Sequence, residues 1–197
     1  SRLKSFISPY LYARNPNRLH MKKTMMALAA SGSLLLSCGT ADQETMSTNP
    51  FFEPYNTPFE VPPFDKIKNE HFAPAIREGI KLQQQEIDAI VNDAASPTFA
   101  NTIEAIENSG ELLARVSTVF YNLNSANTND DIQAIAKELA PEISKHGDNI
   151  SLNEKLFAKV KVIWDNKEQL RLNPEQQKLL EKTYKSFVRN GANLNET

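Results

Sequence analysis

Little in these 197 residues can do covalent chemistry. A lone cysteine, Cys38, excludes an intramolecular disulfide. The histidines are His20, His71 and His146, and no two of them lie at the helical spacing of a His-Glu-x-x-His zinc motif. No serine sits in a Gly-x-Ser-x-Gly elbow. With only six glycines, no glycine-rich phosphate loop or β-hairpin signal separates the helical patterns. Long apolar runs are also lacking. The uncharged stretch 25–36 rises only about 18 Å as a helix against a hydrocarbon core of roughly 30 Å, which excludes a transmembrane span there. Basic charge is scarce after residue 38. Six of the 22 Lys and Arg precede Cys38 while all 24 acids follow it, so 16 bases face 24 acids, a net of −8. That balance argues against nucleic acid as a partner.

The N-terminal part reads as targeting sequence. Met21-Lys22-Lys23, the apolar run and the small residues before Cys38 form a secretory signal over 21–37. The run ending at Cys38 resembles the lipobox of bacterial lipoproteins, which implies lipidation of Cys38; a free or buried thiol is the other reading. Several acyl chains on one residue hold a protein stably at a membrane. Gly39 after the cysteine resembles outer-membrane sorting. The expected location is the bacterial cell envelope, exported and lipid-anchored, facing periplasm or exterior. Residues 1–20 are basic and lie upstream of this start, either a targeting arm or an extension outside the mature protein.

Residues 38–49 are polar and small, as in a flexible tether. Residues 50–64 alternate prolines with Phe51, Phe52, Tyr55, Phe59 and Phe64. This composition fits an extended arm packed on the protein's own surface or a ligand for a proline-binding module. From 65 to 197 an all-α domain is expected, with five amphipathic patterns. The first spans about 69–92 with a polar, solvent-facing patch at 83–86. The second covers 97–130, capped by Asn101 with Glu104 completing a capping box, and Gly110 marks a break. The third begins near Asn129 and should kink at Pro141. The fourth starts at Ser151, with Glu154 in the capping-box position. The fifth starts at Asn173-Pro174-Glu175-Gln176 and ends at Gly191.

No catalytic, cofactor-binding or metal-ligating residue is assigned. His71 and His146 suit surface or capping roles. Glu104/Glu107 and Asp130/Asp131 can be drawn as acid–base pairs but are explained by the helix dipole. Phe120, Tyr121, Phe157, Trp164, Tyr184 and Phe187 sit at helical spacing, as core residues do.

Three blocks nonetheless resemble a known family. Residues 63–72 (PFDKIKNEHF), 97–130 and 172–184 (LNPEQQKLLEKTY), with Ser151-Leu152-Asn153-Glu154 between them, look like the N-terminal helical region of the zinc oligopeptidases. These include thimet oligopeptidase, oligopeptidase A and peptidyl-dipeptidase, and Asn49-Pro50-Phe51-Phe52 is most similar to the bacterial peptidyl-dipeptidase branch. The resemblance implies the N-terminal part of a larger helical, channel-type peptidase acting on short peptides. Its zinc ligands would lie downstream, outside this chain. Asn193 to Thr197 read as the run-in to another helix, hence an expected truncation. A non-catalytic helical lipoprotein that binds a partner is the alternative. If some apolar faces belong against a missing half, the isolated chain should bind a hydrophobic dye and melt broadly; a sharp transition without dye binding would mark a self-sufficient domain.

Overall fold

A computed structural model describes residues 49–192. The expected extension 1–20, signal 21–37, Cys38, the tether to residue 48 and residues 193–197 lie outside the described residues. Among the described residues the fold is all-α, without strands. No helix there is long and apolar enough to cross a membrane.

A 3-10 turn, Asn69–His71, leads into α1, Phe72–Asn92. Pro74 falls in its first turn, where the missing N–H has no helical partner to lose. The second pattern divides. A π-helical stretch, Phe99–Glu104, runs into the short α2, Ala105–Glu107, and the chain then reverses into α3, Glu111–Ala126. Gly110 makes the break with φ +74, a left-handed conformation that favours glycine. The cap is Thr98 rather than Asn101: the Thr98 hydroxyl accepts from Asn101 N–H at 3.1 Å, and the Asn101 side chain accepts from Thr98 N–H at 2.7 Å. The helical stretch starts earlier than expected because Phe99 and Ile103 must both be buried.

Asn129 caps α4, Asp130–Ser151, as its sequence predicts, accepting from Ile132 N–H at 2.9 Å. This helix runs unbroken through Pro141. Pro141 and Lys137 are both exposed, so water can satisfy the carbonyl whose partner the proline removes. Ser151 therefore ends α4 instead of starting the next helix. Asn153 caps α5, Glu154–Asp165, through Leu156 N–H at 2.9 Å. The last helix, α6, Pro174–Arg189, has the expected cap at Asn173, and Gln176 reciprocates it. It closes with Gly191 N–H on the Val188 carbonyl and Ala192 N–H on the Phe187 carbonyl, a Schellman ending.

Two apolar cores result. The first gathers Phe51, Phe72, Ile76, Val116, Phe120 and Leu139. The second gathers Ile87, Ile103, Leu156, Phe157, Leu180 and Phe187. The proline-aromatic arm contributes to the first through Phe51, which is fully buried and packs at 5.2 Å on Phe72. It is not extended throughout, since Pro50–Phe52 and Pro58–Glu60 form 3-10 turns. The later aromatics are not packed in: Phe59, within the second turn, is 96% exposed, and Phe64 is exposed too.

Gly79 fixes a close crossing of α1 and α3. A Cβ there would stand 2.8 Å from Leu113 Cα and 2.9 Å from its nitrogen, backbone atoms that cannot swing aside. Gly79→Ala should therefore lower the urea-unfolding free energy by about 1–3 kcal/mol. Gly147, inside α4 with nothing within 4 Å of its Cβ position, should instead gain about 0.5–1 kcal/mol from alanine. Equal responses at the two sites would contradict the crossing.

Candidate functional site

Both described histidines are interior, so of the surface or capping roles expected for them the surface role does not hold. His71 is 7% exposed. Its Nδ1 accepts from Lys68 N–H at 3.0 Å, and its carbonyl accepts from the Asn49 side chain at 2.9 Å. It caps the entry to α1, as expected, and also ties down the arm. Arg115, from α3, completes that anchorage by donating to the Phe51 carbonyl while its guanidinium lies 5.1 Å from the centre of the Tyr55 ring. His146 is 5% exposed and lies well inside α4, not near its end. Its Nε2 meets Gln83 Oε1 at 2.8 Å, and the Gln83 amide donates toward Ser109 Oγ at 3.3 Å. Glu86 accepts from Gly110 N–H at 2.7 Å. Thus Gln83, half-buried, turns from the polar patch of α1 to the chain break, while Gln85 and Glu86 are exposed as the patch was expected to be, Glu86 still reaching Gly110.

Burial holds both imidazoles below the ordinary histidine range; for His71, Glu70 pulls the other way and Lys68 adds to the lowering. The strongest ionic feature is Arg77, whose Nη2 meets Glu138 at 2.6 Å and Glu142 at 2.8 Å. The guanidinium holds the Glu142 carboxyl below its usual range. On α6, Lys178 and Lys185 hold Glu181 down to about 2. These pairs are solvated and fasten helix faces; being exposed, each contributes little.

Two clefts flank α5. One, of about 440 Å³, has Phe157, Ala158, Val162 and Ala192 as its apolar lining and Glu154, Lys161 and Asp165 among its polar groups. The other, of about 240 Å³, is walled by Trp164, Lys167, Leu172 and Glu181. Trp164 stacks on Tyr184 at 4.4 Å, and Lys167 Nζ lies 4.5 Å from the centre of the Trp164 ring. Neither cleft is lined by a histidine or by the pairs Glu104/Glu107 and Asp130/Asp131. Phe120, Phe157 and Phe187 are buried in the two cores, and Tyr121, Trp164 and Tyr184 pack against them.

The zinc implied by the sequence resemblance does not fit these residues. Among the described residues no three of His, Cys, Asp or Glu gather as a metal site. His71 and His146 each commit a ring nitrogen to a different structural partner. Their geometry supports a structural role and no catalytic step. What sequence reasoning missed is the inward set Gln83, His146 and Arg115. His146 lies three residues after Ile143 and four before Ile150, and Arg115 sits between Leu112 and Val116; those positions were the available signal.

Acidification should destabilise the fold in two windows. Because both histidines bind protons less readily when folded, the unfolded chain protonates first as pH falls past its ordinary 6.5. Stability is therefore full above that pH and declines below it. A second decline follows below the ordinary 4.5 of Glu142, whose lowered folded value makes its contribution vanish as pH falls. Denaturant midpoints across the pH range measure this; a midpoint flat from neutral pH to about 5 would contradict it.

No protein-family model matches the chain. It is 40% identical over 151 residues to the dipeptidyl carboxypeptidase of Salmonella typhimurium, an alignment covering 77% of this chain and 22% of that protein. The Escherichia coli dipeptidyl carboxypeptidase is 40% identical over 146 residues, 74% of this chain and 21% of its own length. Oligopeptidase A of Escherichia coli is 25% identical over 147 residues, 75% and 21% respectively. The chain thus spans about a fifth of the length of the curated relatives it matches. Identity at this level, over about three-quarters of the chain, means that the chain belongs to the thimet oligopeptidase family.

Proposed function

We propose that residues 49–192 are the N-terminal helical scaffold of a zinc-dependent oligopeptidase of the peptidyl-dipeptidase type. The observation that carries this reading is the 40% identity to dipeptidyl carboxypeptidases over about three-quarters of the chain. The scaffold forms part of the wall of a channel that admits short, unstructured peptides and excludes folded proteins. Zinc and the groups that activate water belong to the part of the relatives' length that this chain does not span. When bound there, zinc supplies the Lewis acid and lowers the pKa of its water.

The helices of this chain supply shape and rigidity. Arg115 and His71 fix the arm, Gly79 sets the first crossing, and the two cores hold the helices at set angles. The charge balance after Cys38, 16 bases to 24 acids, is compatible with a peptide substrate and unsuited to nucleic acid. The signal at 21–37 and the lipobox at Cys38 add an exported enzyme anchored by lipid in the bacterial envelope, on the outer membrane. Short peptides then reach it in the periplasm or outside the cell.

Two measurements test this. A reading frame continued past Thr197 to the relatives' length should encode His-Glu-x-x-His, and its product should release dipeptides from peptide C-termini until a chelator is added. The 197-residue chain, given zinc and a fluorogenic peptide, should show no turnover; turnover, or a stop codon directly after Thr197, would contradict the scaffold reading. For the anchor, Cys38→Ser should abolish incorporation of labelled fatty acid and release the protein from the membrane fraction. Unchanged labelling would sink that part alone.

A further inference from the structure

Three segments pass from one core to the other, and each places a polar or conformationally free residue at the passage. On α1 it is Gln83, between Ile80 against the first core and Ile87 in the second. On α4 it is His146, between Ile143 and Ile150, which pack on opposite cores. In the third it is Ser109-Gly110, between Ile106 and Leu112. The three passages meet. A directional chain runs from His146 Nε2 to Gln83 Oε1 at 2.8 Å, from Gln83 Nε2 to Ser109 Oγ at 3.3 Å, and from Ser109 Oγ to the Ile106 carbonyl at 2.8 Å. That order assigns the proton to Nε2 of a neutral imidazole, which donates to the amide oxygen.

We propose that this seam is a proton-operated hinge between the two cores. The imidazole is buried, and its hydrogen-bond partner among the described residues is a neutral amide. Of the charged groups on the elements packed here, Glu86 on α1 spends its carboxylate on Gly110 N–H. Burial is what lowers the proton affinity of the ring. A protonated His146 gains most by turning toward water. That movement removes the donor to Gln83 and leaves Ser109 without the amide that fixes it. Gly110, already left-handed at φ +74, is the residue beside the seam that can change its backbone angles at least strain. The apolar groups on either side keep their contacts, so the motion is a local opening and not unfolding. The hinge would operate whether or not the chain walls a peptide channel.

Amide hydrogen exchange on the full chain at about pH 7.5 and about pH 5.5, corrected for intrinsic rates, reads the opening directly. Protection over residues 83–87 and 109–113 should fall several-fold on acidification, while residues 72–76 and 156–160 in the two cores keep theirs. His146→Gln should remove this pH response, and His71→Asn, which leaves the seam intact, should retain it. Should H146Q fail to fold, an NMR titration of the wild-type chain decides: the Gly110 amide shift should follow the His146 imidazole with one midpoint, below the ordinary 6.5. A uniform loss of protection, a response that persists in H146Q, or a Gly110 amide indifferent to the His146 titration would each overturn the hinge.

Discussion

The approach of α1 to the backbone of Leu113 is the constraint on which the rest of the structure depends. With hydrogen in place of a side chain at Gly79, the two helices lie closer than any Cβ allows. That contact sets where α3 begins, because Leu113 is only three residues past the break at Gly110. It also lets Phe72 and Ile76 of α1 reach Phe120 and Val116 of α3 in one core. Farther along the same helix, Ile87 and Ile90 reach the second core, built on α5 and α6. α1 therefore spans both cores, as the unbroken α4 does, while the segment between them breaks.

The second helical pattern breaks for this reason. Its first half, with Phe99 and Ile103, belongs to the second core, and its later half, with Val116 and Phe120, to the first. A continuous helix could not serve both while keeping the close contact at Gly79, and the left-handed Gly110 redirects the chain. Polar side chains collect at the break because the ends of two helices leave backbone groups without helical partners. Glu86 meets Gly110 N–H and Gln83 meets Ser109. A buried, neutral histidine completes the set.

Much of this is legible in the residues. Asn129 and Asn173 declare their helix starts, Gly191 its helix end, and the apolar spacing names most of the core. The misreadings share a cause, which is that local signals lose to burial. Asn101 has the look of a cap, yet burial of Phe99 pulls the helix start back to Thr98. Ser151 followed by Glu154 has the look of a new helix, yet His146 and Ile150 keep α4 going to that point. Gln83 and His146 read as solvated because they are polar. Only the neighbouring helices show that their positions face inward. The exposure of Phe59 has no local sequence signal, since the same alternation of proline and aromatic residues places Phe51 in the core.

Family and chemistry separate cleanly in this chain. The chain carries the likeness to dipeptidyl carboxypeptidases, while each described histidine is spent on structure. Zinc calorimetry tests that separation most directly, using the wild-type chain beside His71→Asn and His146→Gln. Any zinc heat should be the same in all three proteins, because neither imidazole is a ligand. Tight, stoichiometric zinc binding that disappears with His71 or His146 would contradict it.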